Sequence, residues 1–107
     1  YPTLHAVQGT PDAALRAALA ADPEADTFGP ESVRVMYENY LGAPAESGDV
    51  YAVPGTASPA QLSHFPATIM INGEVDELRV SGEAFGASLR DAGIDLDIST
   101  EPGTRHG

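Results

Sequence analysis

The sequence predicts an α/β fold: parallel strands joined by a crossover helix, preceded by a helical insertion. Three stretches predict it. Ala67 to Ile71 is an apolar run without alternation, as in a strand buried on both faces. Leu78 to Ala92 is helical, with Leu78, Phe85, Leu89 and Ala92 on one stripe. Ile94, Leu96 and Ile98 alternate with Asp95, Asp97 and Ser99, the pattern of a strand with one wet face near a sheet edge. A strand–helix–strand unit of this length forces its strands parallel and usually adjacent.

The remaining elements follow in chain order. Tyr1 to Ala6 is short and β-tolerant and is expected to be the tail of a strand. Thr10-Pro11-Asp12 is a helix start, with a capping hydroxyl, Pro at the first helical position and an acid in the first turn. Ala13 to Ala21 is Ala/Leu-rich and ends at Asp22-Pro23. A second helix starts near Pro30. Val33, Met36, Tyr37, Tyr40 and Leu41 give it an amphipathic stripe, and Gly42 a C-cap. From Ala43 to Phe65, breaks at Pro44, Gly48, Pro54-Gly55 and Pro59 predict an irregular excursion of about 23 residues, longer than most connections. Gly93 closes the helix that begins at Leu78, and Pro102-Gly103 ends the last strand.

Composition excludes several function classes. The chain has 107 residues, no cysteine, and 16 acids against five basic residues, a net charge of −11. Phosphate binding needs clustered Lys/Arg, so a nucleic-acid surface is excluded, and an anionic membrane surface is disfavoured. No apolar run approaches the roughly 20 residues that span a bilayer. The first residues have neither a basic region nor an apolar stretch; a cytoplasmic location is expected. Without cysteine there is no disulfide, thiolate metal site or Cys nucleophile. The three histidines share no metal-ligand spacing.

The chemistry-bearing residues are Asp76 and His106. Each is expected just past the end of one of the two parallel strands, so both loops open on the same sheet edge. Adjacent strands are about 4.8 Å apart, close enough for an acid and an imidazole to meet. That is two thirds of an acid–histidine–nucleophile triad. Asp76 also suits a helix start, and the two roles are compatible. Glu74 reads as a solvent-facing acid, and His64 as a loop histidine. His5 gets no role. Ser63, Ser81 and Ser88 sit on no strand–turn–helix elbow and are rejected as nucleophiles.

An ordered set of motifs covers nearly the whole chain: Tyr1-Pro2, Tyr40-Leu41-Gly42, Asp49 to Pro54, Leu62-Ser63-His64-Phe65-Pro66, Gly73-Glu74-Val75-Asp76-Glu77-Leu78-Arg79, Ala92-Gly93-Ile94 and Pro102 to Gly107. In this order the chain resembles the C-terminal part of an α/β-hydrolase, of the hormone-sensitive-lipase-like (fold-3) esterase group. The resemblance implies an acid role for Asp76, which orients the histidine, and a general-base role for His106. It makes residues 10–65 a cap-like helical and loop insertion, where Met36 or Tyr37 would touch substrate. Residues 66–107 become the strand–helix–strand unit.

The chain departs from the group at Glu77, where Pro is common, and at Val80-Ser81, which replaces an acidic pair. It holds no G-x-S-x-G elbow and no His-Gly-Gly loop; both are expected upstream of Tyr1. The resemblance implies a serine hydrolase of short or medium acyl esters, without a cofactor. The partners expected are an acyl-ester substrate and the rest of the hydrolase domain. This chain alone is expected to be inactive. The alternative is a truncated, non-catalytic packing or binding module, for which unpaired strand edges would allow a homo-oligomer.

Overall fold

A computed structural model describes residues 3–25 and 28–107. The expected pair Tyr1-Pro2 lies outside the described residues. Two helices open the chain, α1 (Ala13–Ala21) and α2 (Pro30–Leu41). Two 3-10 turns follow, Ala45–Ser47 and Pro54–Thr56, then the single-turn helix α3 (Pro59–Leu62). The unit β1 (Thr68–Val75), α4 (Arg79–Asp91), β2 (Leu96–Arg105) closes it. β1 and β2 pair in parallel, Thr68 opposite Leu96 and Met70 opposite Ile98. The α/β class and the parallel, adjacent strands are as the sequence predicts.

The helix ends follow local chemistry. Asp12, not Thr10, caps α1: its carboxylate accepts the Leu15 N–H at 2.8 Å. Pro11 therefore stands before the cap, since the shorter reach from Asp12 satisfies the first-turn donors. Pro30 begins α2, and Gly42 ends it in the left-handed conformation (φ 64°), donating to the Glu38 carbonyl. Gln61 and Ser58 form a capping box that starts α3 inside the stretch expected to be irregular. The S-x-x-Q spacing was the available signal.

Both strands outrun their expected lengths. β1 continues from Ile71 through Asn72-Gly73-Glu74-Val75, and β2 runs on past Pro102-Gly103. Asn, Gly and Pro are poor strand formers, but pairing with the neighbouring strand overrides them. Gly73 faces Glu101 and Val75 faces Arg105. A single residue, Glu74, thus opposes residues 102–104, a bulge in β2. Gly103 takes a positive φ of 67° there, open to glycine without strain. Its N–H donates to Glu74 Oε2 at 2.7 Å.

Two apolar clusters form the core. Ala6, Val33, Tyr37, Ala45, Val53 and Leu78 join α2 and the segments before and after it to the start of α4. Leu62, Met70, Phe85 and Leu89 join α3, β1 and α4. The stripe on α2 divides: Val33 and Tyr37 are buried, while Met36 and Tyr40 are exposed. β1 is not buried on both faces. Met70 and Asn72 are buried, but Ile69 is 77% and Ile71 52% exposed, because no described element covers those two side chains. The expected N-terminal strand is also absent among the described residues. The Leu4 and His5 N–H groups donate to Ser81 Oγ rather than to a neighbouring strand.

Candidate functional site at the ends of the parallel strands

Asp76 follows β1 directly, and His106 follows β2 directly. The chain brings them together: His106 Nδ1 lies 3.1 Å from Asp76 Oδ2. Asp76 is 1% exposed, and its other oxygen, Oδ1, accepts the Leu78 N–H at 2.9 Å. Its carbonyl accepts the Arg79 N–H at the entry to α4. The acid is thus built into the turn between β1 and α4, with its rotamer fixed by the backbone. A carboxylate only accepts, so Nδ1 is the ring nitrogen that carries the proton, and Nε2 is the basic one in the neutral ring.

Three further contacts shape the ground around His106. Phe28 meets its ring edge-to-face, with centroids 4.9 Å apart. Gln8, buried, donates through Nε2 to the carbonyls of Phe28 and Glu77, each at 3.2 Å. One amide therefore ties the segment carrying Phe28 to the turn carrying Asp76. Arg105 donates to Asp22 through Nε at 2.6 Å and Nη2 at 2.9 Å, and to Glu24 through Nη1 at 2.6 Å. The guanidinium holds the Asp22 carboxyl below its ordinary range, and the two carboxylates raise Arg105 further. None of Gln8, Phe28 and Arg105 stood out in the sequence. Each acts across 20 or more positions, and no local pattern marks it.

The other sequence candidates lie elsewhere. Glu74 is exposed and bonded to the Gly103 N–H. His64 is exposed. Ser63 and Ser88 donate to carbonyls one helical turn back. Ser81 is buried and engaged with Leu4 and His5. Tyr37 donates to the Thr3 carbonyl at 3.0 Å, and burial pushes its phenol up. It lines a shallow cavity of about 280 Å³ with Thr3, Met36, Tyr40 and Ala52. Among the described residues no three His, Cys, Asp or Glu side chains come together as metal ligands, and no helix is long and apolar enough to cross a membrane.

Comparison with known proteins shows what the chain is similar to. Over 77 residues the chain is 30% identical to Vegetative-specific protein H5 of Dictyostelium discoideum, a match to 72% of this chain and 23% of that protein. Its fold superposes on carboxyl esterase 2 (TmelEST2) of the mycorrhizal fungus Tuber melanosporum. The TM-score is 0.74 at 28% identity, covering 100% of this chain and 34% of the esterase. An esterase from Rhizomucor miehei matches in fold, with a TM-score of 0.64 at 23% identity over 88% of this chain and 37% of that one. The chain thus spans about a quarter to a third of the length of these relatives. The profile of the Abhydrolase_3 family, the alpha/beta hydrolase fold, matches residues 1–107, and the chain belongs to that family.

Proposed function

We propose that this chain is the C-terminal part of a serine carboxylic-ester hydrolase and supplies the acid and the histidine of its triad. The carrying observation is the 3.1 Å contact between buried Asp76 and His106 at the matching ends of two parallel strands. The family and the likeness to a carboxyl esterase support it. The order, acid before histidine, also agrees with the fold's Ser…Asp…His sequence.

In this reading a serine from outside these residues attacks the ester carbonyl of a short or medium acyl ester. His106 Nε2 takes the serine proton as the bond to the acyl carbon forms, then returns it to the departing alkoxide. Asp76 keeps the ring in the Nδ1–H tautomer and stabilises the imidazolium. Water repeats the sequence to release the acid, and no cofactor enters. The chain by itself lacks the nucleophile and is inactive.

In the full-length protein, His106→Ala should lower ester turnover by about 10⁴-fold, read as kcat on a short-chain aryl ester. Turnover at the wild-type level sinks the reading and leaves a packing module in its place.

A further inference from the structure

We propose that Arg105 is a positioning residue for His106, its guanidinium gripped by Asp22 and Glu24 so that the imidazole stays on Asp76. The catalytic consequence rests on the triad reading above; the positioning itself does not. The need for a clamp comes from the bulge. After Glu101 the regular pairing of β2 is interrupted, with Glu74 alone facing residues 102–104. The ladder resumes with a single pair, Val75 opposite Arg105, directly ahead of His106. His106 itself follows the last strand residue.

The clamp adds a side-chain anchor at that same residue. Two guanidinium nitrogens meet both oxygens of Asp22, and a third meets Glu24. A fork of this kind restricts orientation as well as distance. It joins the end of β2 to the segment just after α1, 83 positions away. Phe28, later in the sequence, has its ring against His106. The imidazole is thus held through its own backbone by the clamp, and its ring is met by Phe28. Arg105 and Glu24 are exposed, with 43% and 73% of their side chains in solvent. Exposed ion pairs add little to global stability, so the clamp's effect falls on geometry rather than on folding. Lysine, a single point charge, cannot reproduce the fork.

The test uses the full-length protein with Arg105→Met, Arg105→Lys and Asp22→Asn. Two readouts are taken: exchange of the His106 Nδ1–H with water by NMR, and kcat and KM on an ester, with Tm alongside. The expected result in all three is Nδ1–H exchange about tenfold faster. A drop of about tenfold in kcat should accompany it, with KM within about twofold and Tm nearly unchanged. Wild-type exchange in both Arg105→Met and Asp22→Asn overturns the proposal, whatever the activity. So does full recovery of exchange in Arg105→Lys, or a loss of kcat matched by unfolding. If His106→Ala keeps full ester turnover while exchange still depends on Arg105, the positioning stands and the triad reading alone falls.

Discussion

Asp76 Oδ2 and His106 Nδ1 lie 3.1 Å apart although 30 positions separate them in the chain. The same carboxylate holds the Leu78 N–H with its other oxygen, so one buried side chain both shapes the turn that leads into α4 and faces the histidine. The turn that shapes the helix entry is therefore also the turn that aims the acid.

That double engagement separates two substitutions. Asp76→Asn keeps an oxygen for the Leu78 N–H, whereas Asp76→Ala leaves that buried donor without a partner, costing about 1–3 kcal/mol more. Both should abolish most ester turnover in the full-length protein, Asn by about 10⁴-fold as in the related triad. Urea midpoints and kcat measured on both variants check it. Equal stability of Asn and Ala would show that the helix-start bond contributes nothing.

Ser81 Oγ accepts the N–H groups of Leu4 and His5 at 2.8 and 3.1 Å, and its hydroxyl faces His5 Nδ1 at 2.9 Å. With its lone pairs taken by the backbone, the hydroxyl proton points at the imidazole. Ser81→Ala removes the acceptor for two backbone donors and should cost about 1–3 kcal/mol in a urea titration. Ester turnover should be retained, because this serine is occupied in holding the N-terminal segment. Complete loss of turnover in a folded Ser81→Ala protein would contradict its rejection as a nucleophile.

His5 is half-buried. Burial lowers its imidazole below the ordinary 6.5, against a weaker upward pull from its hydrogen bond to the Gly55 backbone. As the pH falls through the unfolded value, the unfolded chain takes up a proton that the folded chain refuses, so stability declines. The loss begins near pH 6.5 and levels off below the folded value. His5→Gln should flatten that part of the curve. Urea midpoints of both proteins at about pH 7.5 and about pH 5 read it, and parallel curves would remove His5 as the cause.

Gly82 on α4 faces Asn72 on β1 closely enough that a Cβ there would clash with Asn72 Oδ1. Asn72 is 2% exposed. Gly82→Ala gains about 1 kcal/mol of helix propensity, yet overpacking of about 1–3 kcal/mol should outweigh it. The penalty should vanish in an Asn72→Ala background, as a double-mutant cycle of thermal midpoints would show. A stabilised Gly82→Ala protein would mean the helix and strand separate easily.

The sequence by itself determined the local elements. Pro30 and Gly42 bound α2, the Leu78–Ala92 stripe marks α4, and alternation from Ile94 marks β2, because helical and strand periods are written in neighbouring residues. It also determined the parallel pairing and hence the shared edge on which Asp76 and His106 meet, since a crossover of this length leaves few alternatives. Only the tertiary structure decided how far the strands run. Asn72 to Val75 and Pro102 to Arg105 are strand because the ladder resumes beyond the bulge with Val75 opposite Arg105, against their own propensity. It likewise decided that Ile69 and Ile71 face outward, and that Gln8, Phe28 and Arg105 gather around the histidine. Those contacts join residues up to 83 positions apart, a distance over which no pattern in the chain records which side chains will touch.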